Sequence, residues 1–210
     1  MRTDPAFAGL LRAGRHPLGA PVRADLGAAH GPVGELADLL SQVNGFTLAN
    51  AGVQVFRVGP EGLGPELLRW NAPGTWKDTY AGLADGLLCF GQDLFGVQFA
   101  IEDNTRVVTF DPETGQREFV SDTLLGWTEW LAADADAHAA RAFATRWQRV
   151  HGPLGYDERL IPLRFFVLGG GYDDDNLVVK DAVTCMRIRG PIAQQLHDVP
   201  DGTPVRLSFE

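Results

Sequence analysis

The stretch Val97-Gln98-Phe99-Ala100-Ile101-Glu102-Asp103-Asn104 decides the fold class. Val97, Phe99 and Ile101 alternate with Gln98, Ala100 and Glu102, the period of two expected of a half-buried strand. Asp103-Asn104 reads as a tight turn. Residues 107–110 form the next strand, Asp111-Pro112-Glu113-Thr114-Gly115 a loop of hairpin length, and Glu118-Phe119-Val120 the returning strand. Upstream, Leu87, Leu88 and Phe90 make an apolar run that feeds the same sheet. The pattern predicts an antiparallel meander.

Helical signals flank this region. Val33, Leu36, Leu39, Leu40 and Val43 recur at three- and four-residue steps, and Asn44-Gly45 is a stop signal. Val53, Val55 and Val58 around Phe56 suggest a strand closed by Gly59-Pro60. Residues 60–78 read as a long loop with a short helix at 66–70. After the meander, Leu124, Trp127 and Leu131 share one helical face, and Phe143, Trp147 and Val150 another. Asp134 and Asp136 lie between them, where one helix or two would satisfy the pattern. Further on, 163–168, 177–179, 184–188 and 205–209 read as short strands, with a helix at 192–197. Phe7, Leu10 and Leu11 suggest a short N-terminal helix, followed by a loop from His16-Pro17 to Pro21. The expected class is α+β, a central antiparallel sheet with helices packed on one side. The expected organisation is an N-terminal appendage at 1–32, a core at 33–150, and a β-rich extension at 151–210 packed on the same domain.

Composition narrows the function. The 210 residues carry 27 acidic and 18 basic side chains, a net charge of −9. Such a balance argues against direct nucleic-acid binding through a general basic field and favours a neutral or basic partner. Two cysteines exclude a disulfide scaffold and multi-cysteine zinc sites. No run approaches the ~18 apolar residues of a membrane helix, and the first residues do not resemble a signal peptide, so a cytoplasmic location is expected.

The residue chemistry points away from catalysis. None of Ser41, Ser121 and Ser208 sits in Gly-x-Ser-x-Gly, the turn that lifts a nucleophilic hydroxyl above a sheet. Cys89 lies in an apolar strand and reads as a core side chain. The five histidines show no metal-ligand spacing, so neither a metal nor a cofactor is expected. Gly169-Gly170-Gly171 is followed by Tyr172 and by Asp173, Asp174 and Asp175, whose charge would repel a phosphate, so the glycines read as a bend. The three aspartates form a solvated acidic loop that suits a basic partner. Trp127, Trp130 and Trp147 read as core. Trp70 and Trp76, in the long loop, are candidates for a recognition surface, where tryptophan is enriched. Asp93 is a further contact candidate. An enzyme reading would need Asp93, Asp111 and His151 brought together.

Several segments together resemble the SMI1/KNR4 (SUKH) superfamily. The helix ending at Asn44-Gly45 is similar to that family's early helix. Leu87-Leu88-Cys89-Phe90-Gly91-Gln92-Asp93-Leu94-Phe95-Gly96-Val97-Gln98-Phe99-Ala100 resembles its signature, an apolar strand reaching a turn with Phe-Gly before the next strand. The likeness covers 33–150, and the tail resembles extensions of bacterial members. Residues 1–30 and 60–78 match nothing in the family. The resemblance implies a non-enzymatic protein-binding domain. Many bacterial members are immunity proteins that bind and neutralise a cognate toxin, often a nuclease. Others are intracellular regulators or scaffolds. Under this reading the contact residues are Trp70, Trp76, Asp93, Tyr172, Asp173, Asp174 and Asp175, on loops carried by a rigid scaffold.

Overall fold

The computed structural model describes residues 7–15, 17–200 and 202–208. The fold is α+β, and the expected meander is the greater part of a six-stranded antiparallel sheet. Its strands are β1 (Phe46–Leu48), β2 (Val53–Val55), β3 (Leu87–Asp93), β4 (Gln98–Glu102), β5 (Arg106–Phe110) and β6 (Arg117–Ser121), each paired with its neighbours in sequence. The β4–β5 turn works because Asp103 and Asn104 both take positive φ, which these residue types tolerate.

Helices cover both faces of this sheet rather than one. Every residue of β4 is buried, and adjacent residues of a strand point to opposite faces. Phe99 packs against Trp127 and Trp130 of α4 (Leu124–Ala133), with ring centroids 5.5 and 6.2 Å away. On the same side, α2 (Gly31–Gln42) lies beside α4, and the Glu35 carboxylate accepts the Leu124 N–H at 2.7 Å. On the other face, Gln98 accepts a hydrogen bond from Trp70 Nε1 in the short helix α3 (Leu67–Trp70) at 2.8 Å. Phe110, the cross-strand partner of Gln98, meets Tyr80 of the 3₁₀ turn Lys77–Tyr80 and Trp76 just before it. The Asn44-Gly45 stop is a structural lock. Asn44 donates to the carbonyls of Ala20 and Val58 and accepts the Val58 N–H, while Gly45 has φ +71° and a Cβ there would meet the Arg57 backbone nitrogen at 2.9 Å.

The helical stretch after the meander is two helices. Asp134 ends α4, its carboxylate accepting the N–H groups of Asp136 and Ala137, and α5 (Arg141–His151) begins after Ala140 at positive φ. At the N-terminus, α1 (Ala8–Ala13) follows Phe7, which is part of the core. Residues 1–6, His16, Asp201, Phe209 and Glu210 lie outside the described residues, and with them the His16 end of the first expected loop and the end of the strand expected at 205–209.

The C-terminal segment departs most from expectation. Residues 163–168 are not a strand. The strand is β7 (Glu158–Pro162), paired with β8 (Leu177–Asp181) in a separate two-stranded sheet. Asn176 ends that pairing, because its side-chain oxygen accepts the Arg164 N–H and its side-chain nitrogen donates to the Arg164 carbonyl. The stretch 184–188 lies inside α6 (Ala182–Leu196), which Asp181 caps by accepting the Thr184 N–H at 2.9 Å. Ala182, Cys185, Met186, Arg189, Ala193 and Leu196 are buried at helical spacing, and this periodicity outweighs the β preference of Thr184 and Ile188. Residues 203–208 form no strand. The triple glycine bends as expected, with Gly169 at φ +80°.

A row of glutamines ties this segment to the sheet. Gln54, Gln92 and Gln98 face one another across β2, β3 and β4, and all three are fully buried. The Gln54 side chain donates to the Tyr156 carbonyl and accepts from Gln92 and from the buried Arg159 guanidinium. Gln54→Leu would leave these groups without partners, so it is expected to lower stability by about 3 kcal/mol. Urea denaturation checks this, and a loss within the ordinary range of surface substitutions would show that the row is not structural.

Candidate functional site

The α4–α5 connection does not close over the whole sheet. Beyond Trp130 a cleft of about 510 Å³ remains open. Its floor is one face of β4, β5 and β6. Phe99, Thr109 and Glu118 are successive cross-strand partners and form one row, with Val97, Asp111 and Gln116 beside it. One wall is Trp130, Asp136, Ala137, His138 and Phe143, and the other is Asp93, Phe95 and Tyr172.

Aromatic packing fixes both walls. The His138 ring stacks on Trp130 at 3.7 Å, and its Nδ1 lies 2.7 Å from the Trp130 carbonyl oxygen. In the other wall, Phe95 meets Tyr172 edge-on at 5.1 Å, and Tyr172 stacks on Phe166 at 4.1 Å; Phe95 also meets Phe143 edge-on at 5.3 Å, so the two walls touch there. These rings extend a small second core around Leu94, Trp147, Leu160 and Leu177.

Among the described residues, four carboxylates and no lysine or arginine line the cleft. Asp93 closes the β3–β4 turn, its Oδ1 accepting the N–H groups of Phe95 and Val97 at 2.9 and 2.8 Å. Burial pushes its pKa up to about 6, although the two N–H groups and the more distant Arg159 and Arg189 act in the opposite direction. Asp111 accepts the Glu113 and Thr114 N–H groups in the β5–β6 turn. Asp136 pairs with Arg141 at 3.1 Å at the rim, which holds it below the usual carboxylate range. Glu118 has neither a hydrogen-bond nor an ion-pair partner among the described residues. Burial raises the pKa of the Tyr172 hydroxyl, and the charges of Asp93, Glu113 and Asp111 add to the effect.

The sequence-based candidates divide sharply. Asp93 and Tyr172 lie in this cleft. Asp173 and Asp175 are exposed beside it on the chain, whereas Asp174 is held by Arg146 at 2.9 Å and His151 at 3.2 Å, hydrogen bonds that lower its pKa. Trp70 and Trp76 offer almost no accessible surface, although Trp70 borders a pocket with Arg57 and Arg69. The two tryptophans are 2% and 0% exposed, and the loop at 60–78 delivers them to the core face of the sheet. Of the three residues needed for the enzyme reading, Asp93 and Asp111 reach the cleft and His151 does not. Cys89 is buried in the core, which pushes its thiol up to about 12. Glu118 and His138 are not singled out in the sequence, and Trp130, which reads there as core, is half-buried and lines the cleft. The signal for Glu118 is its place in the alternation Arg117-Glu118-Phe119, opposite Thr109 and Phe99.

No protein-family model matches the chain, and no curated protein matches it. The crystal structure of Atu4351 from Agrobacterium tumefaciens is similar, with a TM-score of 0.60 and 16% identity over 90% of this chain and 88% of that chain. The likeness shows a common fold.

The raised pKa of Asp93 has a consequence for stability. Its folded value lies above that of an unfolded aspartate, so ionisation costs the folded state more, and stability falls as pH rises from about 4 through 6. Asp93→Asn keeps an acceptor for both N–H groups. It is expected to raise stability at pH 7.5, by at most about 3 kcal/mol, and to flatten the pH dependence between about 4 and 6. Denaturation at pH 4.5 and 7.5 checks both, and an unchanged slope would contradict the burial argument.

Proposed function

We propose that this chain is a cytoplasmic protein-binding domain of the immunity type, which captures and neutralises a cognate toxin, often a nuclease, without converting a substrate. The reading rests on the resemblance to SMI1/KNR4 proteins. It is carried by one observation, a cleft lined, among the described residues, with four carboxylates and no lysine or arginine, in a chain of net charge −9. A nuclease that grips phosphates is basic, and opposite fields accelerate encounter and exclude acidic competitors. The framed walls suit recognition, because groups already held in place lose little entropy on binding.

The test is co-production with the toxic C-terminal domain encoded beside this gene in its host. The expected result is rescue of growth and co-purification of the two chains. Continued toxicity with no co-purification would sink the reading. Asp173 and Asp175 are exposed and free to steer encounter, whereas Asp174 is engaged internally. Reversing Asp173 and Asp175 to lysine is expected to slow association at low salt about tenfold, with a smaller effect on dissociation. An unchanged association rate constant would place this loop outside the interface.

A further inference from the structure

The floor of the cleft runs to an unpaired sheet edge. Among the described residues, β6 pairs with β5 on one side and is the last strand of the sheet on the other. The lining residues of the cleft include none that roofs β6 from beyond that edge. The N-terminal part of α4 packs near Ser121, at one end of the strand, and among the described residues no backbone hydrogen bond joins 117–120 to any segment other than β5. Along this stretch Gln116 and Glu118 point into the cleft. Arg117 and Phe119 point to the opposite face. There Arg117 bonds Glu102 and the carbonyls of Leu83 and Asp85, while Phe119 is 61% exposed. An open edge thus carries unpartnered acid on one side and an uncovered ring on the other.

The distribution of charge narrows what fits. Among the described residues, no three His, Cys, Asp or Glu side chains converge closely enough to hold a metal ion. The carboxylates are spread along the cleft, so their complement is an extended ligand with separated positive charges. The ring faces are largely occupied. Trp130 is covered by His138, Phe143 by the Arg146 guanidinium at 4.7 Å, and Tyr172 by Phe166. Recognition therefore falls to the carboxylates, and these favour a guanidinium, which is weakly hydrated and donates to a carboxylate through two parallel N–H groups.

Resting on the protein-binder reading above, and specifying its contact, we infer that an extended, arginine-bearing segment of the partner pairs with the free edge of β6 and continues the sheet. Strand addition supplies the main-chain hydrogen bonds, and alternate side chains supply the specificity. A cross-strand neighbour lies about 5 Å from Glu118, Cβ to Cβ, so an arginine there covers Glu118 and extends toward Asp111. The residues on either side of it fall on the opposite face, where apolar side chains cover Phe119.

The probes are three capped peptides of alternating sequence, acetyl-(Arg-Val)₃-amide and its Lys-Val and Glu-Val counterparts, titrated into the full chain and followed by amide NMR and hydrogen exchange. The expected result is binding in the order Arg, Lys, Glu, with new protection at amides of 117–120. Glu118→Arg is expected to weaken the arginine peptide about tenfold or more, while Glu61→Arg, an exposed reversal elsewhere, leaves it within about twofold. Glu118 is exposed, so the variant is expected to fold, and circular dichroism checks this. Equal binding of the three peptides, no binding, or protection confined to other strands would overturn the inference. If the peptides fail but the toxin still co-purifies, the docking mode is wrong and the binder reading stands. If the arginine peptide protects β6 but the toxin is neither bound nor neutralised, the binder reading fails and the edge site stands.

Discussion

The row Gln54–Gln92–Gln98 is the constraint on which the rest of the structure depends. A central strand covered on both faces cannot leave an amide to water, so each buried glutamine needs partners from the chain itself. Trp70 meets Gln98, and Tyr156 and Arg159 meet Gln54. These partners come from the 60–78 segment and from the start of β7 with the residues leading into it, which are thereby bound to one face of the meander. Register follows from the same row. A slip of one residue would turn Gln98 toward α4 and Phe99 toward α3, burying amides against tryptophan rings and separating Phe99 from Trp127. With register fixed, Thr109 and Glu118 fall in line with Phe99 on the face that becomes the cleft.

The meander was legible because its alternation, turn residues and loop lengths all agree. The helix at 31–42 and its Asn-Gly stop were legible for similar reasons, since periodicity and terminator coincide. The C-terminal segment was not, because local preference and tertiary context conflict there. Leu163-Arg164-Phe165-Phe166-Val167-Leu168 has strand composition, yet Asn176 captures the backbone at Arg164 and turns the chain. In α6 the β-branched residues and Gly190-Pro191 mask a helical period. Gly190 is required at a contact, as a Cβ there would meet the Thr79 carbonyl oxygen at 2.5 Å. Trp70 and Trp76 were misread because a loop rich in Gly and Pro looks solvated, when this one carries two anchors inward.

The cleft was half legible, since a sequence reports single residues whereas the site is a relation between elements. Asp93 and Tyr172 lie 79 positions apart, and Phe95 and Phe166 bring them to the same wall. The opposite wall exists only because α4 and α5 are separate helices. A continuous helix would have no turn at 134–140 to set His138 against Trp130. The break at Asp134, the ambiguous point of the sequence reading, is what shapes the site.

The same arrangement works against stability. Asp93 is ionised at neutral pH at some cost, and among the described residues Glu118 and Asp111 have no cation paired with them, although Arg141 and Arg146 stand on the neighbouring helix. A sheet face evolved for folding alone would pair these charges or replace them, since unpaired carboxylates in a partly enclosed cleft repel one another in a medium that screens them poorly. Arg141 instead pairs with Asp136 at the rim, and Arg146 with Asp174 outside the lining. The chain's own cations thus hold the edges of the cleft and leave its floor acidic. Departures from local stability of this kind concentrate where a fold meets its ligand, because a cation from outside supplies the missing partner only when it binds.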